Sequence, residues 1–148
     1  MSALAHSPKL LLLDEPTAGL DPVVRTEVLD TLFEILEDGE RAIFYSTHIL
    51  SDISRLADEL VFLSNGQLLQ RSAKDDLIDA WRRISFRLDK KQNIDQVVEH
   101  KTEGPDHQVV SSNYLVTLDH LKALGAENIQ ESRMTIDEIA VHILKGAQ

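Results

Sequence analysis

Leu10-Leu11-Leu12-Leu13-Asp14-Glu15-Pro16-Thr17 begins as an apolar run and ends on two carboxylates and a proline. With no polar alternation, the leucines predict a short strand covered on both faces, as in a parallel sheet. Leucine is a weak strand former, so the pattern carries this expectation rather than propensity. Carboxylates at the C-terminal end of such a strand lie on the edge where α/β sheets bind ligands. There Asp14 can hold a hard cation such as Mg2+, usually through water, and Glu15 can accept a proton from an attacking water. Acidic pairs ending a strand are more often plain solvated loop, so the pair alone does not decide a function.

Downstream, Asp21-Pro22 is a helix start: Asp caps free N–H groups, and proline at the first helical position loses no bond. Val24, Val28, Leu32, Ile35 and Leu36 form the helical stripe, and Gly39 suits its stop. Ala42 to Ser46 reads as a second strand, and Ile49, Ile53, Leu56 and Ala57 mark a second helix. Leu60 to Leu63 reads as a third strand, and Asn65-Gly66 is a hairpin turn into Gln67 to Gln70. Strand, helix, strand, helix, strand predicts an α/β layer with parallel pairing. His48 directly follows the second strand, on the same sheet edge as Asp14, where an imidazole can meet a terminal phosphate. A single His is more often a surface or capping residue, and His6, His100, His107, His120 and His142 are read so.

Ser72 to Trp81 changes the pattern and predicts a linker helix over 73–81. Beyond it, Ile84 to Leu88 alternates like a strand, and Ile94 to Glu99 predicts a helix. Lys101 to His107 predicts a polar loop around Gly104-Pro105. Val109-Val110 and Tyr114 to Thr117 predict extended chain, and Leu118 to Leu124 predicts a helix. Asn128 to Arg133 predicts a strand, and Ile136, Ile139, Ala140 and Ile143 mark a last helix. Together these describe a small α+β module of ferredoxin-like type.

Composition narrows the classes. The 148 residues carry a formal net charge of −10, with 25 acidic and 15 basic side chains, which disfavours nucleic acid and anionic lipid surfaces as partners. There is no cysteine, which removes disulfides, thiolate metal sites and cysteine nucleophiles. No apolar stretch approaches the roughly 20 residues of a membrane helix, and Met1 to His6 lack a signal-peptide layout. A cytoplasmic location is expected.

Taken as a set, the motifs resemble the ABC-transporter ATPases. Leu10 to Thr17 is similar to their Walker B segment, Ala18-Gly19-Leu20-Asp21-Pro22 to the D-loop, and Ser46-Thr47-His48 to the H-loop, in family order and spacing. Leu60 to Gln67 resembles the strand and turn that follow. The resemblance implies that Asp14 helps hold Mg2+, Glu15 is the general base for water, and His48 contacts the γ-phosphate of ATP. It also implies that Asp21 reaches across the interface of two ATPase domains packed head to tail, alongside a transmembrane permease. Asp21 also has a purely local reading, as a helix cap. Close resemblance covers about residues 1 to 71. Residues 82–148 loosely resemble the extra C-terminal domain of ATPases serving drug and lipid exporters.

Other family parts are missing from the sequence. A P-loop of the form GxxxxGK[ST] grips phosphates with backbone N–H groups and a lysine. Gly19, Gly39, Gly66, Gly104, Gly125 and Gly146 are the only glycines, and none begins or completes such a loop. There is no Gly-Gly pair for the signature motif and no glutamine placed as in the Q-loop. Met1 to Pro8 resembles the end of the helix after the signature motif, which implies a chain beginning inside the ATPase domain. In the family's sheet the P-loop strand separates the strands matching Ala42–Ser46 and Leu60–Leu63. The expected organisation is an incomplete P-loop NTPase-type α/β sheet over 1–72, the linker helix over 73–81 and an accessory α+β domain over 82–148. The expected function is that of a partial ATP-binding subunit of an exporter-type ABC transporter, inactive alone and binding neither ATP nor Mg2+ tightly. Two alternatives stay open: a non-catalytic regulatory or binding module, and a portion of an ABC ATPase outside transport.

Overall fold

The computed structural model describes residues 8–37, 39–89 and 92–146. The helix end expected over Met1 to Pro8 lies outside them except for Pro8. Two compact units result, Met1–Ala57 and Asp58–Gln148.

In the first unit, strand β1 (Leu10–Asp14) pairs in parallel with β2 (Ala42–Ser46), in register from Leu10 opposite Ala42 to Asp14 opposite Ser46. Helix α1 (Pro22–Leu36) connects them, and α2 (Leu50–Leu56) follows β2. Asp21 caps α1 by accepting from the N–H groups of Val23 and Val24 at 3.0 and 3.2 Å. Gly39, at φ 67°, ends it by donating to the Leu36 carbonyl at 3.0 Å.

Burial corrects two expectations. The β1 strand is covered on one face only: Leu11 is 5% exposed, but Leu12 is 71% and its register partner Phe44 is 60% exposed. The helical stripe is also rotated, since Leu29 and Leu32 are the buried residues of α1 while Val24 is exposed. Within the unit, the described residues form a single covered face on this two-stranded sheet.

In the second unit, β3 (Glu59–Ser64) turns at Asn65-Gly66, both at positive φ, into the antiparallel β4 (Gln67–Ala73). This corrects the third parallel strand: the pairing of β3 among the described residues is antiparallel, with β4. The reason is local: the Asn65-Gly66 turn brings β4 back against β3 as its antiparallel partner. Helix α3 (Lys74–Ala80) follows, within the expected 73–81 stretch. The spatial division falls ahead of it, at Ala57–Asp58, and Trp81 stacks on His142 at 6.2 Å.

The remaining elements are β5 (Arg82–Arg87), β6 (Val97–Glu103), β7 (Asp106–Ser111), α4 (Tyr114–Ala123), β8 (Glu127–Arg133) and α5 (Ile136–Lys145). The sheet order is β6-β7-β5-β8, antiparallel throughout. Order and directions are those of a ferredoxin-like module in which a loop replaces the first helix. Ile84, Phe86, Ile94, Val109 and Leu121 form its core.

Three local readings change. Ile94 to Glu99 is not helical: Ile94 is a buried loop residue, and Val97 to Glu99 begin β6. Lys101 to His107 is a hairpin about Gly104-Pro105 rather than a loop. Tyr114 to Thr117 open α4 because Asn113 caps it, accepting from the Val116 N–H at 3.4 Å.

Candidate functional site

The C-terminal ends of β1 and β2 lie side by side because the parallel register sets Asp14 opposite Ser46. The Ser46 hydroxyl donates to the Asp14 carboxylate, which is exposed. One residue on, the Glu15 N–H donates to the Ser46 carbonyl at 2.9 Å, continuing the ladder, while its φ of 45° enters the left-handed region. A non-glycine residue there costs roughly 1–2 kcal/mol, and such positions gather where surrounding contacts enforce them.

Those contacts are on the side chain. Glu15 Oε2 accepts from the Thr47 hydroxyl at 3.0 Å, and Oε1 accepts from the His48 N–H at 2.9 Å. The His48 ring approaches Oε1 through Nδ1 at 2.8 Å. The hydrogen bond from that ring holds the Glu15 carboxyl below the usual glutamate range, with partial burial opposing and the Thr47 and backbone bonds assisting. Because a carboxylate only accepts, the His48 proton in this contact sits on Nδ1. His48 itself is 78% exposed, so its ring stands at the surface of the site.

A second cluster lies beside the first and involves residues the sequence reading passed over. Asp52, 1% exposed in α2, accepts at Oδ2 from the Thr17 hydroxyl at 2.5 Å and from the Tyr45 hydroxyl at 2.9 Å. Its Oδ1 accepts from Arg25 Nε at 2.8 Å and from Arg25 Nη2. Burial pushes Asp52 upward, but the bonds from Thr17, Arg25 and Tyr45 outweigh it and leave its pKa lowered. Burial, assisted by the adjacent carboxylate, pushes Tyr45 up to about 12.

Asp14, Glu15 and His48 therefore converge on one sheet edge, while Asp21 caps α1 at an exposed position. No group of three or more His, Cys, Asp or Glu suited to a metal occurs among the described residues. No described helix is long and apolar enough to cross a membrane.

Comparison with known proteins gives the same direction as the motifs. Bacitracin transport ATP-binding protein BcrA of Bacillus licheniformis is 32% identical over 127 residues, 85% of this chain and 42% of its own. Energy-coupling factor transporter ATP-binding protein EcfA2 of Streptococcus pyogenes is 34% identical over 119 residues, 80% of this chain and 41% of its own. Linearmycin resistance ATP-binding protein LnrL of Bacillus subtilis is 26% identical over 141 residues, 95% of this chain and 40% of its own. The chain belongs to the ABC-transporter ATP-binding proteins. No family-wide profile matches it. This ABC chain spans about two fifths of the length of these relatives.

The phosphate-binding part of an ABC site is a separate question, and the glycines answer it. Gly19, Gly39, Gly66, Gly104 and Gly125 all have positive φ, yet a Cβ added to any of them would meet nothing within 4 Å. They serve turns and do not line a cradle that a side chain would fill. At this edge Asp14 could contribute one ligand to a metal and Glu15 could accept from a water, whereas these five glycines offer no phosphate cradle.

Proposed function

We propose that the chain carries the hydrolytic edge of an exporter-type ABC ATP-binding subunit and turns over no ATP by itself. The observation that supports this best is the meeting of Glu15, His48 and Asp14 at the end of one parallel strand pair. In the complete site, Asp14 would help hold Mg2+, whose charge stabilises the nucleotide phosphates. Glu15 would receive the proton of the attacking water, and His48 would face the γ-phosphate. With its proton on Nδ1 toward Glu15, a neutral His48 ring has no N–H at Nε2. Donation from Nε2 then requires the imidazolium, or release of Glu15. Asp21 would serve a head-to-tail interface with a second ATPase domain, and a transmembrane permease would be the membrane partner. Such a subunit works at the cytoplasmic face of the membrane. The exporter reading draws on LnrL, a linearmycin resistance protein whose match takes in most of residues 82–148. On this reading residues 1–72 derive from the ATPase domain, 73–81 link, and 82–148 are accessory.

The test is a chimera in which residues 8–71 replace the matching stretch of BcrA, assayed for steady-state ATP hydrolysis. The chimera should hydrolyse ATP, and Glu15→Gln should lower its turnover by about 10²–10⁴-fold, as expected for loss of a general base. Unchanged turnover in a folded Glu15→Gln chimera would remove Glu15 from the role. The isolated chain should show no turnover at millimolar ATP. Activity there that disappears in Glu15→Gln would require a phosphate site of another kind.

A second reading, a non-catalytic regulatory or binding module, is favoured by the five positive-φ glycines, where an added Cβ would meet nothing within 4 Å. A folded chimera that binds ATP without hydrolysing it would select that reading.

A further inference from the structure

Asp52 sits in the first turn of a short helix, where a carboxylate ordinarily faces water, yet it is among the most buried side chains of the protein. Each of its donors comes from a different part of the first unit. Thr17 lies two residues after Glu15. Arg25 lies in the first turns of α1, which Asp21 caps. Tyr45 precedes Ser46, the residue that bonds Asp14. Asp52 itself follows His48 by four residues, and Arg25 Nη2 also reaches the Ser51 hydroxyl at 2.5 Å.

We propose that Asp52 is a positioning residue, one buried carboxylate that fastens the Glu15 loop, the Asp21-capped end of α1 and the Thr47–His48 turn into a single geometry. Stability alone is a poor reason for such an arrangement. Removing a charge from water is costly, and a well-packed apolar side chain of similar volume often serves a fold as well or better. Fixed donor directions give what apolar packing does not, a defined distance between three chain segments. The Glu15–His48 contact requires that: the Thr47–His48 turn must stay within hydrogen-bond reach of a loop 32 and 33 residues earlier in the chain.

This proposal rests on reading Glu15, Asp21 and His48 as site residues, but its test needs no nucleotide. Amide hydrogen exchange of the full chain, resolved by NMR, reads the His48 N–H on Glu15 and the Ile49 N–H on the Thr47 hydroxyl. Asp52→Asn keeps the side-chain shape and replaces one acceptor with a donor facing donors. The His48 and Ile49 amides should then exchange about ten times faster, the effect of losing a hydrogen bond to a charged group. The β1–β2 ladder should keep its protection. Thr17→Val and Tyr45→Phe each delete one donor, and each should accelerate the same two amides by about three-fold. These variants decide the matter if Asp52→Asn does not fold. Parallel acceleration of every amide in the first unit would mean that Asp52 serves stability only, and would overturn the proposal, as would unchanged His48 exchange. Neither outcome bears on the Glu15→Gln chimera, so the two readings fail separately.

Discussion

The two units differ in what holds them. In the first, Leu11, Leu29 and Leu32 are the buried apolar side chains among the described residues, and the fully buried ones are polar, Thr17 and Asp52. In the second, an antiparallel sheet closes over Ile84, Phe86, Val109 and Leu121, with Ile136, Ile139 and Ala140 of α5 also buried. The candidate chemistry lies in the unit with the smaller apolar interior. A parallel pair exposes its C-terminal edge to ligands and needs covering layers on both faces, whereas an antiparallel sheet is complete with one. Among the described residues the first unit thus sets its candidate site over a small apolar interior, and the second builds the larger core.

The largest expected effect tests the core side of this contrast. Ile84→Ala should destabilise the second unit by about 2–5 kcal/mol, through lost burial and the cavity left behind. Urea unfolding followed by fluorescence of Trp81, the single tryptophan and 4% exposed, measures it. Leu12→Ala at an exposed position should change stability by no more than about 0.5 kcal/mol. Equal costs for the two substitutions would erase the distinction between the units.

The polar side is tested by Arg25→Ala, which leaves Asp52 buried with only hydroxyl donors. A loss of about 1.5–3 kcal/mol is expected, in the range for hydrogen bonds to charged groups, with water replacing part of a guanidinium that is 27% exposed. Backbone amide signals of the first unit should report it while Trp81 fluorescence stays unchanged. A fall in both would show that the units unfold together.

Smaller effects should appear with pH. Tyr45 is raised in the folded state to about 12, so its contribution is fully present below the ordinary tyrosine value of 10.0 and is lost as pH rises toward 12. Asp52 is lowered, so its contribution is present above the ordinary aspartate value of 3.8 and is lost as pH falls through the lower folded value. Tyr45→Phe should flatten the alkaline loss in the first unit and, because it removes one of the bonds that lower Asp52, shrink the acid loss and move it to higher pH. An alkaline limb unchanged by Tyr45→Phe would assign it to another group.

How much of this was legible varies by residue. The β1 leucines, the Asp21-Pro22 helix start and the Asn65-Gly66 turn are local signals, and the structure follows them. The one-sided burial of β1 depends on what covers a strand, which no four-residue pattern contains. Tyr114 to Thr117 looked extended because β-branched and aromatic residues dominate it, while the signal that settles its form is the preceding Asn113. Ile94 to Glu99 lost its helix to pairing with β7, a long-range choice. The Glu15–His48 edge was legible because two strand ends in parallel order must meet. Asp52 was not. On α2 it falls on the flank of the Ile49, Ile53 and Leu56 stripe, but a carboxylate there reads as solvated, and its donors Thr17 and Arg25 lie 35 and 27 residues away.

The smallest effect on stability should carry the clearest effect on association. Leu10 and Leu12 on β1 and Phe44 on β2 share one face of the parallel pair and are 56%, 71% and 60% exposed. Among the described residues each of the two strands also bonds only to the other, which leaves each an open edge there. Apolar faces joined to open strand edges recruit other chains. The purified chain should therefore bind a hydrophobic dye and run as oligomers on a sizing column. Leu12→Ser with Phe44→Ser should reduce dye fluorescence by about half or more while changing folding stability by no more than about 0.5 kcal/mol per site, because exposed side chains have little burial to lose. The same pair of serines leaves the strand edges open, so oligomers that persist without dye binding would assign association to edge pairing. A wild-type chain that is monomeric and dye-negative would show that this face is closed in solution, and the contrast between the two units would then lie in the buried polar network alone.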